Sequence, residues 1–342
     1  MEGERVHHAR TYHGWSQGDL ATMVGKSQPA ISAIEKGKPA SAEMIAAIAE
    51  ATQFAPWFFE RGRLPDLPAG SLRYRKRAAA RVRDDERIRA HVRQTVEIMD
   101  DMREVAHSLP IRIRPVPRDE QVGDDDIEEL ALRCREILGV GPLDPIPNLT
   151  RAVERAGVAV IGSSQEILTH EGASYWPDFP TGRPIVCLSR GRPGDKHRFS
   201  LAHELGHLLL HQLRGTEDLQ KGEAEAFRFA GALLLPRGAA YEVVQPPVTL
   251  QELAMVKARF GISIRALVRR CLDLEMITPT RRTSLEKQIS ARGWTKVEPV
   301  KVDVERPGLV RQIVARATGT DNPAKLHLAL GLPPIAIRDM VA

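Results

Sequence analysis

Two histidines four residues apart, His203 and His207, enclose a glutamate, Glu204, in the stretch FSLAHELGHLLLH (199–211). On an α-helix this spacing puts both imidazoles on one face, about 6 Å apart along the axis, within reach of a single metal ion. Glu204 falls beside the ion, where a carboxylate can take a proton from water that the ion acidifies. Leucines and Ala202 cover the remaining faces of the helix. His211 lies on the same face but about 12 Å from His203 along the axis, a span that ligand bonds of about 2.1 Å cannot bridge. The intervening leucines offer no glycine at which the chain could turn. His211 is therefore read as a residue that supports the site or packs at the helix end.

The third ligand must come from another element. The next helical run, GEAEAFRFAGALLLP (222–236), offers Glu223 and Glu225. Ala226, Ala230 and Gly231 are small enough to let this helix approach the first. A carboxylate from it would complete a His₂Glu set with a fourth position open, and spacing does not choose between the two glutamates. Attack of such a water on a carbonyl would also need a donor for the developing oxyanion, and Tyr175, His197 and Tyr241 are the candidates.

These residues need elements to hold them. Over residues 1–62, Gly14, Gly25 and Gly37 stop helices, while Ser16, Ser27 and Ser41 open them. Pro29 sits in a first turn, where a missing N–H costs little. Leu20, Val24, Ile31, Ile34, Ile45 and Ile48 form the expected core of this bundle. A Pro/Gly-rich link (61–70), a basic run RYRKRAAARVR (73–83) and one long helix (82–108) fill the segment 63–122. The span 123–278 is mixed. Helices are expected over DDDIEELALRCREILG and NLTRAVERAG, followed by short strands at VAVIG, GASYW and PIVCLS. The metal-site helices come next, and then a helix pair about Gly261. The remainder, 279–342, is read as helical and extended, with WTKVEPVKVDV (294–304) alternating like a strand. The fold class is thus multidomain and mainly α, with an all-α domain before a compact α+β domain carrying a small sheet.

Composition narrows the class. Of 342 residues 42% are hydrophobic, which suits globular domains, and the net charge of +5 permits a polyanionic partner. The three cysteines are scattered without a C-x-x-C, which argues against a disulfide framework and fits a reducing, cytoplasmic setting. No apolar leader segment opens the chain and no apolar run is long enough to span a bilayer, so no membrane partner is expected.

Two resemblances sharpen this reading. Gln17, Leu20, Ala21, Gly25, Ser27, Ile31, Ser32, Glu35 and Gly37 match the pattern of the phage-repressor-like (XRE) helix-turn-helix family. That resemblance implies a second helix in the major groove of double-stranded DNA. There Gln28 would form a bidentate contact to adenine and Ser32 would reach a base or a phosphate. Gln17, Lys26, Ser27, Lys36 and Lys38 would position the backbone. The basic run 73–83 would either grip flanking phosphates or form a solvated helix start. RFSLAHELGHLLLH followed by EAEAFRFAGALLLP resembles the ImmA/IrrE family of zinc metallopeptidases. This implies a zincin-like (minimal gluzincin) domain, one Zn²⁺ per chain, with Mn²⁺ or another divalent ion as substitutes, and Glu225 as the third ligand. Phe227 stands where many relatives have Asn.

The combined reading is a transcriptional regulator fused to an endopeptidase, with Glu204 as general base. Its expected substrate is a repressor-type helix-turn-helix protein, in trans or the chain itself. The alternative is a repressor or antitoxin without proteolysis, partnered by a toxin, with a structural or sensory metal domain. Homodimerisation is expected if the operator is palindromic.

Overall fold

Glycines and serines divide the first fifty residues of this computed structural model into four short helices, α1 (Glu2–Tyr12), α2 (Gln17–Met23), α3 (Gln28–Glu35) and α4 (Ala42–Thr52). The structure describes residues 2–68, 72–74, 82–163, 171–215 and 218–341. Ser16 closes a capping box with Asp19, and Ser41 accepts from the Met44 amide. Gly14, Gly25 and Gly37 take positive φ just beyond their helices. Leu20, Ile31, Ile34, Ile45 and Ile48 are buried as expected, and Val24 is half-buried.

By their internal contacts the residues form two compact units, Met1–Pro110 with Ala159–Arg190 and Pro307–Ala342, and Ile111–Val158 with Gly191–Arg306. Contact therefore groups the chain differently from the linear segments 1–62, 63–122, 123–278 and 279–342. In the first unit, α5 (Val82–Asp101) and α6 (Arg103–Ser108) follow a two-residue strand, β1 (Arg73–Tyr74). The single long helix expected over 82–108 breaks at Met102, just after Asp100 and Asp101. Aspartates are poor helix formers, and their charge opposes the negative end of the helix dipole. Of the basic run, residues 75–81 lie outside those described.

A buried polar chain ties α5 to α1. Arg5 donates to Glu97 (2.6 Å), Gln94 donates to Glu97 (3.0 Å), and His8 meets Gln94 (3.0 Å). Strands β2 (Ala159–Ser163), β3 (Gly172–Tyr175) and β4 (Ile185–Ser189) belong to the same unit. The sheet order is β1-β3-β4-β2, with β2 parallel to β4 and the other pairs antiparallel. Ala159, Ile161, Ala173, Ile185 and Cys187 share one core with Val92 and Val96 of α5 and with the C-terminal helices.

The second unit is helical among its described residues. It contains α7 (Asp124–Leu138), α8 (Leu149–Arg155), α9 (Gly194–His211), α10 (Leu219–Leu234), α11 (Arg237–Val243), α12 (Leu250–Phe260), α13 (Ile264–Asp273) and α14 (Pro279–Ala291). Helices α15 (Leu309–Thr318), α16 (Pro323–Leu330) and α17 (Pro334–Val341) return to the first. Gly261, at φ 68°, makes the turn of the α12–α13 pair.

The stretch 294–304 forms no strand, although its residues alternate. It begins in a turn at 294–296 and continues as an irregular strap, fastened by side chains rather than by a ladder. Glu298 accepts from Lys257 (2.8 Å) and from the Ile264 amide (2.8 Å). Glu305 accepts from the Leu149 and Thr150 amides (3.0 and 2.7 Å) and pairs with Arg198. The Gly194 amide donates to Val302 (3.2 Å), and a Cβ on Gly194 would collide with the strap's backbone. The strap thereby clasps the first turn of α9.

Burial lowers the pKa of His8 to about 3 and holds that of His91 well below the usual histidine range. The folded chain thus excludes protons that the unfolded chain accepts below about pH 6.5, so stability rises with pH through that window. For His8 alone stability is expected to fall by about 1.4 kcal/mol per pH unit as pH drops from 6.5 toward 4, and His91 adds to the fall in the same direction. Urea unfolding at pH 7 and pH 5 measures this, and His91→Phe is expected to flatten the dependence.

Candidate metal centre

The last two and a half turns of α9 carry His203, His207 and His211 on one stripe, and α10 runs antiparallel beside it. Gly206 permits the approach. A Cβ there would lie 3.0 Å from the Phe229 ring and 3.3 Å from the Ala226 Cα. Ala226 and Ala230 are fully buried, whereas Gly231 faces the Arg270 side chain and not α9. Arg135 and Arg270 satisfy carbonyls at the end of α10, donating to Leu233 (2.6 Å) and Leu235 (3.0 Å). Arg270 also forks onto Glu128 of α7 (2.5 and 2.7 Å).

This packing selects between the two glutamates. Glu223 lies three and seven residues before Ala226 and Ala230, so all three share the face turned to α9. Its oxygens lie 3.4 Å from His203 Nε2 and 3.2 Å from His207 Nε2, and the two nitrogens are 3.1 Å apart. Among the described residues, His203, His207 and Glu223 form a group whose ligand atoms all lie within 4.8 Å of one another. Glu225, two residues on and about 200° around the helix, is turned away from this triangle. It accepts from His211 Nε2 (2.9 Å) and pairs with Arg214. The structure thus corrects the expectation for Glu225, because the carboxylate it sets against both histidines is that of Glu223. The stripe Glu223–Ala226–Ala230 was the sequence signal for this choice.

The donor set fits a small divalent ion. Tetrahedral ligands at about 2.0–2.1 Å lie about 3.3–3.4 Å from one another, close to the 3.1, 3.2 and 3.4 Å separations seen here. Two imidazole nitrogens and a carboxylate are the donors that zinc accepts. Burial alone would raise the pKa of Glu223, but hydrogen bonds and charge from His203 and His207 hold it well below the carboxylate range. His203 and His207 are each 5% exposed and Glu204 1%, while the Glu223 side chain is 32% exposed, so the centre opens on the Glu223 side.

The ligand rings are held differently. Phe227 meets His203 edge-on (4.7 Å) and is itself backed by Phe199 (5.5 Å), so the residue replacing the relatives' Asn packs on a ligand. His207 Nδ1 lies 2.9 Å from His211 Nδ1. Three residues are the expected oxyanion donors. Tyr241 donates to the Leu274 carbonyl (3.2 Å) and is half exposed. His197 is buried one and a half helical turns before His203, and Tyr175 ends β3 in the other unit.

In the first unit, Gln28 opens α3 and is exposed together with Lys26, Ser27, Lys36 and Lys38, while Gln17 and Ser32 are half-buried. Gln28 donates to Gln17 (2.6 Å), Gln17 donates to Glu35 (2.8 Å), and Arg10 donates to Glu35 (2.5 Å). Burial opposes ionisation of Glu35, yet bonds from His7, Arg10 and Gln17 bring its pKa down to about 2. The chain fixes the base of α3 and leaves its first turn open to a ligand.

Two comparisons with protein families agree with this architecture. Residues 8–56 match the helix-turn-helix family, and residues 153–272 match a peptidase family described as the IrrE N-terminal-like domain. Over those residues the chain carries a helix-turn-helix domain followed by an IrrE N-terminal-like domain. No curated protein matches it as a relative. The IrrE N-terminal-like match takes in β2–β4 and α9–α12, so it includes every residue of the candidate centre. No helix among the described residues is long and apolar enough to cross a membrane.

Glu223→Ala is expected to abolish stoichiometric zinc uptake, whereas Gly206→Val is expected to weaken it by forcing α10 away. Metal analysis after dialysis of the purified variants measures both.

Proposed function

We propose that this chain is a DNA-binding transcriptional regulator whose peptidase domain hydrolyses a peptide bond in a repressor-type protein, in trans or in itself. The observation that carries the proposal is the triangle of His203, His207 and Glu223 beside Glu204, at separations suited to one divalent ion. Zinc is the ion the donor set favours, and when bound it supplies Lewis acidity and lowers the pKa of water. His203, His207 and Glu223 would hold it, and Glu204 would be the base. Glu204 directly follows His203 on α9 and is almost fully enclosed, which favours proton transfer over solvation. It takes the proton of the attacking water and delivers it to the leaving amine nitrogen as the C–N bond breaks. The exposed side of Glu223 is where an extended substrate would enter.

The helix-turn-helix domain would select the DNA on which this happens. Gln28 reads an adenine edge, with Gln17 holding its side chain in place, and Ser27, Ser32, Lys26, Lys36 and Lys38 meet phosphates or neighbouring bases.

Glu204→Gln is expected to leave zinc content unchanged while abolishing cleavage of candidate helix-turn-helix repressors, followed by gel electrophoresis and mass spectrometry. Equal processing by wild type and variant would sink the peptidase assignment. Zinc retained without cleavage by either protein, on any such repressor or on the chain itself, would favour a structural or sensory centre.

Gln28→Ala is expected to weaken specific operator binding by about 1–3 kcal/mol, with Lys36→Ala weakening all sequences alike. Fluorescence anisotropy on operator and scrambled DNA at fixed salt separates the two.

A further inference from the structure

Glu225 and His211 touch neither His203 nor Glu223 through any bond described above, yet both are buried, His211 at 0% and Glu225 at 7% exposure. They are joined in one line. His207 Nδ1 lies 2.9 Å from His211 Nδ1, His211 Nε2 lies 2.9 Å from Glu225 Oε2, and Arg214 pairs with the same Glu225 oxygen. We propose that His211, Glu225 and Arg214 form a positioning relay that fixes the tautomer and ring plane of His207.

The proposal rests on the reading of His203, His207 and Glu223 as the metal ligands. The proton count admits one arrangement. His207 turns Nε2 toward His203 and Glu223, so a ligating His207 keeps its lone pair there and its proton on Nδ1. That N–H donates to His211 Nδ1, which must then be bare. The proton of His211 consequently sits on Nε2 and donates to Glu225. Glu225 accepts, and the Arg214 guanidinium balances its charge. Each contact in the line has one donor and one acceptor, and reversing any of them would set two protons or two lone pairs against each other. Hydrogen bonds to the far nitrogen of a ligating histidine orient the ring and raise its basicity, and losing them typically costs 10–100-fold in metal affinity.

The relay also accounts for the alternation of glutamates on α10. Glu223 and Glu225 point about 200° apart, so one helix delivers a ligand to the ion and an anchor to the ligand's support. The His203 ring is packed edge-on by Phe227.

Cobalt(II) titration of the full-length protein, read by visible absorption and by competition with a chelator, tests the relay. His211→Phe and Glu225→Gln are expected to lower cobalt affinity 10–100-fold while keeping one equivalent bound. His211→Asn, which keeps an acceptor near the Nδ1 position, is expected to recover most of the loss. In the zinc-loaded wild type, long-range ¹⁵N–¹H spectra are expected to place the His207 proton on Nδ1 and the His211 proton on Nε2. Glu225→Gln is isosteric and keeps the test decisive if His211→Phe does not fold. Wild-type affinity and spectrum in both His211→Phe and Glu225→Gln would overturn the relay while leaving the centre intact. Loss of all binding in Glu225→Gln, with binding retained in Glu223→Gln, would overturn it by making Glu225 the ligand. Absence of cobalt uptake by the wild type would instead overturn the centre itself, and the relay with it.

Discussion

The close approach of α9 and α10 at Gly206 and Ala226 is the constraint on which the candidate centre depends. Two helices normally pack at 8–10 Å, with the side chains at the contact deciding the value. A glycine facing an alanine brings them to the short end of that range. Only then can a glutamate near the start of α10 reach two histidines on α9 at 3.2–3.4 Å. A bulkier residue at either position would widen the gap and leave two buried histidines without the carboxylate that offsets their desolvation.

The rest of the second unit holds that pair of helices still. Lys257 is buried between Asp195 on the first turn of α9 and Glu298 on the strap (2.6 and 2.8 Å). Arg198, further along α9, pairs with Glu305 and donates to the Ile146 carbonyl (2.8 Å). Such buried ion pairs contribute little net stability compared with apolar packing, but breaking one leaves a buried charge uncompensated. Their use here is geometric, because they set the register of α9 against its neighbours.

The first unit applies the same economy to a different task. Its buried polar chain from Arg5 through Glu97, Gln94 and His8 joins α1 to α5. A second chain, from Arg10 through Glu35 and Gln17 to Gln28, ends at the exposed start of α3. The two chains begin on the same helix. One fastens the bundle, and the other prepares a side chain for an outside partner.

Much of this was legible in the residues. The helices of the N-terminal bundle follow from serine caps and glycine stops, which act within a few residues. The His203–Glu204–His207 stripe follows from the helical period, and the exclusion of His211 from direct ligation follows from the axial rise. Other features depended on partners distant in the chain. Residues 294–304 alternate like a strand, yet no ladder partner lies beside them, and Glu298 within them and Glu305 just after hold them instead. The strands share a core with α5 and the C-terminal helices, which no linear division of the chain contains. The choice between Glu223 and Glu225 belongs to this second class. Helical geometry says that two residues two apart face opposite ways, but which face meets α9 is settled by where Gly206 lets α10 come close. The sequence alone determined that a carboxylate from α10 would meet His203 and His207. Tertiary packing decided which one, and turned the other glutamate, with His211, toward the far side of His207.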